Sequence, residues 1–334
     1  MTESRRFIEV CAGCGGLSLG LMEAGWEPIL LNEIDKTCCE TLRENHPEVE
    51  VIQKSMTDLN VEEYRGRVDL LTGGVPCQSF SQAGLRRGLE DERGGLIMEF
   101  ARLVDECEPK IFMIENVKGL ITHQGGETIR LVKEHLSRDG NYKVHHKLLK
   151  AVEYGVPQKR ERVFIIGIHR SMEREWKYPE PTNERKVLRD VLVDVPESPG
   201  YSYPERKREI MEMVPEGGCW VDLPEEIQEE YMGASLHSGG GKRGIARRLS
   251  MDEPCLTLTT SPCQKQTERC HPTETRPLTI REYARIQTFP DSFVFKGTVA
   301  KQYKQIGNAV PVKLANVIGI ALIEYLEENI RNDV

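Results

Sequence analysis

The chemistry of this chain centres on Pro76-Cys77-Gln78, inside Leu71-Thr-Gly-Gly-Val-Pro-Cys-Gln-Ser-Phe-Ser81. A short apolar strand runs there into a polar, glycine-flanked loop. Cys77 thus stands at the carboxyl end of a parallel strand, where open α/β sheets place their ligands. A thiol attacks an electron-poor ring carbon once its pKa is lowered or the ring is activated. Ile114-Glu-Asn-Val117 ends a later strand and puts Glu115 on the same sheet edge. A carboxylic acid beside a thiol suits a substrate that reacts only when protonated. The same pattern also describes a surface glutamate at a strand end. Gln158-Lys-Arg-Glu-Arg162 precedes another strand, and a period of two points Arg160 and Arg162 to one side. Their guanidinium forks suit a phosphate, a carboxylate or a base carbonyl, or they end the strand in solvent.

A cofactor turn lies upstream. Ala12-Gly-Cys-Gly-Gly16 follows the first strand and opens the first helix. Glycines there let the backbone turn sharply and approach a ligand. Glu33 ends the second strand about twenty residues on, the spacing at which a carboxylate accepts from ribose hydroxyls. Asp58, after the third strand, either receives an adenine amino group or caps a turn. The turn and Glu33 call for a nucleoside-containing cofactor, and by themselves fit NAD as well.

The elements that position these residues alternate. Phe7–Cys11, Ile29–Leu31, Val68–Leu71, Lys110–Ile114 and Val163–Ile168 read as strands. Helical patterns separate them, including Leu17–Ala24, Asp35–Asn45 and Leu96–Cys107. The fold class is α/β, with a parallel sheet covered by helices on both faces. From Trp176 to Pro277 the texture becomes proline- and glycine-rich with little periodicity, which reads as a smaller, loop-rich domain. Thr279-Ile-Arg-Glu282 is a capping box that opens a further helix.

Composition narrows the class. A length of 334 residues suits about two domains. The start is polar, without the apolar stretch of a signal peptide, and no apolar run reads as a membrane span, so a cytoplasmic protein is expected. Ten cysteines in a chain this long suit cytoplasmic thiols rather than a secreted framework. Cys11-Ala-Gly-Cys14 has CxxC spacing, but no second pair follows at zinc-ribbon distance, and no metal is expected. The net charge of −8 speaks to solubility, whereas a binding face is local. Lys242, Arg243, Arg247 and Arg248 form a basic stretch free of acidic residues.

In order, the chain carries Cys-Ala-Gly-Cys-Gly-Gly, Asn-Glu-Ile-Asp, Pro-Cys-Gln-Ser-Phe-Ser, Glu-Asn-Val, Gln-Lys-Arg-Glu-Arg, Arg-Glu-Tyr-Ala-Arg-Ile-Gln-Thr-Phe-Pro and Gln-Ile-Gly-Asn-Ala-Val-Pro. This series resembles the C5-cytosine-specific DNA methyltransferases over nearly the whole chain except 176–277. The resemblance implies a Rossmann-like S-adenosylmethionine-dependent fold with a target-recognition domain. Residues 1–175 would form the catalytic and cofactor-binding domain and 176–277 the target-recognition domain. Residues 278–334 would carry motifs and return a helix to the catalytic domain.

It further implies that Cys77 attacks C6 of a flipped-out cytosine, with Gln78 beside it in the loop. Glu115 would hold N3, Asn116 the loop, and Arg160 and Arg162 the base carbonyl and the glutamate. The cofactor S-adenosyl-L-methionine would lie against Cys11, Ala12, Gly13, Cys14, Gly15, Gly16, Glu33, Ile34, Asp58, Leu59, Pro76, Asn308 and Val310. Gly84–Gly95, with Arg86, Arg87 and Arg93, resembles a mobile loop that closes behind Cys77. Flipping is required because ring attack is impossible inside a stacked duplex. Lys242, Arg243, Arg247, Arg248 and Arg269 are the candidate DNA contacts of the variable region.

Three departures stand out. Cys11 replaces the family's usual phenylalanine, Glu9 its aspartate, and the usual glycine before Asp58 is absent. The implied partners are double-stranded DNA and a cognate restriction endonuclease acting on the same sequence without stable contact, with the chain itself a monomer. Competing readings are a tRNA cytosine C5 methyltransferase, a non-catalytic DNA-binding relative, and an NAD-dependent oxidoreductase resting on the glycine turn alone.

Overall fold

The computed structural model describes residues 5–75, 95–182, 184–237 and 243–330. Pro76, Cys77, Gln78, Arg86, Arg87, Arg93 and Lys242 lie outside them. In chain order the first unit runs β1 (Arg5–Val10), α1 (Gly16–Glu23), β2 (Trp26–Glu33), α2 (Lys36–Asn45), β3 (Glu50–Gln53) and β4 (Leu70–Gly73). It continues with α3 (Gly95–Cys107), β5 (Ile111–Val117), α4 (Gly119–Thr122), α5 (Glu127–Leu136) and β6 (Tyr142–Lys150). After the short β7 (Gln158–Lys159) comes β8 (Glu161–His169).

Seven strands form one sheet in the order β3-β2-β1-β4-β5-β8-β6. The pairs β1–β2, β1–β4, β2–β3 and β4–β5 are parallel. The sheet is mostly parallel, as the strand–helix alternation implies, and β8 runs antiparallel to both β5 and β6. β6, Tyr-Lys-Val-His-His-Lys-Leu-Leu-Lys, carries no apolar run that marks it in the sequence, because its polar residues suit a sheet edge.

The chain winds outward in both directions from the β1–β4 pair, which makes their carboxyl ends the switch point of the sheet. Val10 pairs with Gly73, and Gly73 with Ile114, so the chain leaves β1, β4 and β5 at one level. Ile8, Val10, Leu71, Phe100, Val104, Phe112 and Ile114 belong to the core under this edge. Asp35 caps α2, its Oδ1 accepting from the N–H groups of Thr37 (2.8 Å) and Cys38 (3.1 Å).

The last helix, α10 (Val312–Ile330), packs on α1 within the same unit. A side chain at Gly20 would begin 2.3 Å from the carbonyl oxygen of Val312, so only glycine permits this crossing. Trp26 Nε1 donates to Gly319 O at 2.9 Å and fixes the far end. The stretch Val299–Asn329 holds a window of mean hydropathy 1.7, apolar and long enough to span a membrane, which the sequence reading had not anticipated. Of that window 67% is buried inside the protein, the pattern of a core helix.

Contacts divide the chain into Met1–Lys150, Glu161–Thr182 and Val310–Val334 on one hand, and Ala151–Arg160 and Asn183–Ala309 on the other. The division departs from the sequence boundaries. Residues 151–160 and 278–309 group with the loop-rich unit, which also carries β9 (Cys255–Leu256) paired with β7. Its helices are α6 (Glu205–Glu212), α7 (Glu225–Met232), α8 (Ile280–Ile286) and α9 (Val299–Asn308). Tyr203, Ile210, Met211, Val214, Leu223 and Ile245 belong to its core. The capping box forms, Thr279 and Glu282 each accepting the other's backbone N–H.

Candidate active site

The turn after β1 is built for close approach. Gly13 and Gly15 take φ of +56° and +91°, and Cys11 takes +52°. The turn closes by Gly15 N–H donating to Ala12 O at 3.0 Å and is tied to β2 by Ala12 N–H donating to Asn32 O, also 3.0 Å. A side chain grafted at Gly13 would meet nothing within 4 Å, so open space lies over this backbone. Ala12, Cys14, Gly15 and Gly16 are buried and form the floor.

Glu33 closes the turn from the next strand. Its Oε2 accepts from Gly13 N–H at 2.8 Å, and its Oε1 from Ile34 and Asp35 N–H, both at 2.8 Å. Oε2 keeps a lone pair for a hydroxyl. Ile34 is 66% exposed, an apolar surface beside a carboxylate, as a nucleoside ring and ribose would require. The Asp58 carboxylate is exposed, and Ser55 caps its turn instead. Leu59 is buried, and its side chain belongs to the core. Cys11, in place of an aromatic, packs against the same core. Burial first, then Glu33 and Glu9, pushes its thiol up to about 12, and burial pushes Cys14 up to about 12. No group of three or more His, Cys, Asp or Glu side chains placed to hold a metal ion occurs among the described residues.

At the end of β5, Glu115 is buried and paired with Arg162 of β8, with Nε and Oε1 2.7 Å apart. The antiparallel register places Val117 opposite Arg162, so a reversed strand brings the guanidinium back to the glutamate. Asn116 Nδ2 donates to Val75 O at 2.8 Å, two residues before Cys77. It also folds back on its own chain, Oδ1 accepting from Val117 N–H at 2.8 Å. A side chain grafted on Gly74 would begin 3.6 Å from Glu115 Oε2 and 3.8 Å from Cys11 O. The acid, the cofactor turn and the approach to Cys77 therefore share one small volume.

Arg160 does not share the task of Arg162. It is 1% exposed, and its guanidinium donates to Leu258 O (3.2 Å), Gly307 O (2.9 Å) and Asn308 O (3.4 Å). All lie in the loop-rich unit. Residues the sequence left without a role complete this frame. Gln158 Nε2 donates to Gln287 Oε1 at 2.9 Å, and Gln287 Nε2 to Ile306 O at 2.7 Å. A side chain at Gly307 would begin 2.1 Å from Thr259 O. The Gln-Lys-Arg and Gln-Ile-Gly-Asn motifs are thus partly an internal brace. Asn308 is exposed and Val310 buried, and the two fall in different units.

Two of the candidate DNA contacts are also internal. Arg248 is buried and donates to Val214 O (2.7 Å), Met211 O (2.6 Å) and Glu274 O (3.1 Å). Arg269 is buried and donates to Glu268 O and Thr257 O, both at 2.7 Å. Orphan carbonyls in a domain with little regular structure need such donors. Arg243 is exposed and Arg247 half-buried.

Comparison with known proteins agrees with this geometry. The family model "C-5 cytosine-specific DNA methylase" matches residues 5–324. The Type II methyltransferase M.PspPI of Psychrobacter sp. (strain TA137) is 54% identical, covering 97% of this chain and 80% of the relative. M.Sau96I of Staphylococcus aureus is 52% identical over 96% of this chain and 76% of its own. M.Eco47II of Escherichia coli is 50% identical over 96% and 79%. Among solved structures, a DNA modification methyltransferase encoded within an Escherichia coli prophage aligns with a TM-score of 0.73 at 28% identity, covering 97% of this chain and 100% of that one. The S. pombe Dnmt2 methyltransferase, 17% identical with a TM-score of 0.69 over 98% and 99% of the two chains, shares the fold. With its glycine turn, its buried Glu115–Arg162 pair and these relatives, the chain belongs to the C-5 cytosine-specific DNA methylase family.

Proposed function

We propose that this enzyme is the modification methyltransferase of a restriction–modification system, marking C5 of one cytosine in a specific duplex sequence. The observation that carries the reading is Glu115 held by Arg162 at the end of β5, beside the strand that leads to Cys77. The 50–54% identity to Type II methyltransferases favours duplex DNA over tRNA. An intact acid–guanidinium pair speaks against a non-catalytic relative, and an oxidoreductase would leave that pair without a task. S-adenosylmethionine, whose sulfonium supplies the methyl group, fits the turn, with Glu33 for the ribose hydroxyls, Ile34 against the ring and Asp58 for the adenine amine.

In the mechanism, the Cys77 thiolate forms a bond to C6 while Glu115 holds a proton at N3. That proton draws electrons from the ring and makes C6 electrophilic; once the thiolate has added, the electron density at C5 would accept the methyl group as its bond to the sulfonium sulfur breaks and a neutral thioether leaves. A base then removes the C5 proton, and the C6–S bond breaks to return the thiolate. Arg162 fixes the carboxyl of Glu115, and Asn116 fixes the backbone ahead of Cys77.

Two experiments test this reading. Bisulfite sequencing of DNA from a host expressing the protein is expected to show one protected cytosine in one recurring context; DNA without protection would overturn it. A duplex with 5-fluorocytosine at that position is expected to yield a covalent adduct, because fluorine cannot leave as a proton.

The DNA surface is separable from its brace. Arg243→Ala is expected to lower the salt slope of DNA binding by about one and leave melting unchanged. Arg248→Ala is expected to lower the melting temperature instead. Equal melting temperatures for the two variants would contradict the division.

A further inference from the structure

Glu9 is buried two residues before the cofactor turn and unused by the mechanism above. It lies on β1, between Leu31 of β2 and Thr72 of β4 in register. It is 1% exposed, and its Oε2 has no hydrogen-bond partner among the described residues. Ser18 of α1 bonds the carboxyl through its side chain and backbone. The Ser18 hydroxyl lies 3.2 Å from Gly15 O, so a neutral Glu9 can donate to Ser18 while Ser18 donates into the turn.

The other titratable groups facing Glu9 are Glu33 of β2, Glu115 of β5, and Cys11 and Cys14 of the turn. Arg162 is committed to Glu115. The neighbourhood therefore holds more carboxyl groups than cations. Burial, with smaller contributions from Glu33 and Glu115, raises the Glu9 carboxyl to about 8. A buried acid with an open oxygen ionises more readily when a positive charge arrives.

We propose that Glu9 makes this site selective for charge: it releases its proton when a cationic sulfonium cofactor binds, and keeps it against the uncharged thioether product. The proposal rests on the S-adenosylmethionine reading of the site. The proton goes to solvent on cofactor binding and returns after transfer, when the sulfonium charge is gone. Product then loses the electrostatic attraction that held the cofactor, and fresh cofactor displaces it.

The test is calorimetric titration of the full chain with S-adenosylmethionine and, separately, S-adenosylhomocysteine, from about pH 6.5 to about pH 9, in two buffers of different ionisation enthalpy. The wild type is expected to gain S-adenosylmethionine affinity by up to about tenfold per pH unit below the Glu9 midpoint, with net proton release. Its S-adenosylhomocysteine affinity should change less. Glu9→Gln is expected to flatten the difference between the two ligands. The cofactor's own amine titrates in both proteins, so subtracting the two curves isolates Glu9. The proton count needs no variant and stands if Glu9→Gln folds poorly. S-adenosylmethionine binding without proton release, or with the same pH curve in both proteins, overturns the role of Glu9 and leaves the cofactor reading intact. Absence of S-adenosylmethionine binding at every pH overturns both.

Discussion

Cys77→Ser is expected to reduce methyl transfer by more than about 10³-fold while leaving binding of duplex DNA and of the cofactor in place. A thiol is partly ionised near neutral pH and strongly nucleophilic, whereas a hydroxyl needs a general base to attack carbon. Glu115 is not that base: Arg162 clamps its carboxyl, and its proposed task is at N3 of the ring. The substitution is nearly isosteric and lies two positions after Val75, whose carbonyl Asn116 holds. Folding should be unaffected. The adduct with 5-fluorocytosine should vanish with the turnover. A serine enzyme that retained near wild-type turnover would remove the covalent step from the mechanism.

Arg160→Met should act through stability. Three carbonyl oxygens, of Leu258, Gly307 and Asn308, converge on the Arg160 guanidinium in a site with almost no solvent access. Methionine fills the volume and supplies no donor. The expected loss is about 3–5 kcal/mol, the range for stripping a buried charged group from its partners. Thermal melting should drop by many degrees, with activity lost only in proportion to unfolding. Arg160→Lys should recover part of this, because one ammonium cannot fork to three oxygens. If Arg160 instead touched the target base, Arg160→Met would melt like the wild type and lose turnover alone.

Much of the site was legible because strand ends are legible. Leu70–Gly73 and Ile111–Val117 are apolar runs broken by polar segments, so Glu115 and the residues that lead to Cys77 fall on one edge by topology alone. The interval from the glycine turn to Glu33 is likewise a property of a strand–helix–strand repeat. The partner of each arginine was not legible. Arg160, Arg248 and Arg269 look like surface cations in sequence, yet each satisfies carbonyls brought from distant positions. A domain with few strands leaves many backbone oxygens unpaired, and nothing local to an arginine says how many lie near it. The reversal of β8 escaped for a related reason. Its apolar run suits either direction, and only pairing with the edge strand β6 settles it. Glu9 stands in the sequence as a departure from the family's aspartate, and only the fold shows its burial.

The crossing of α1 and α10 has a consequence for synthesis. Trp26 and Gly319 are separated by 293 positions, so the ribosome makes one partner long before the other. At about 5–20 residues per second the interval is roughly 15–60 s. Through that time the surface of α1 around Gly20 has no helix to cover it. The packing of the unit that carries β1 and the glycine turn is completed only when α10 has been made.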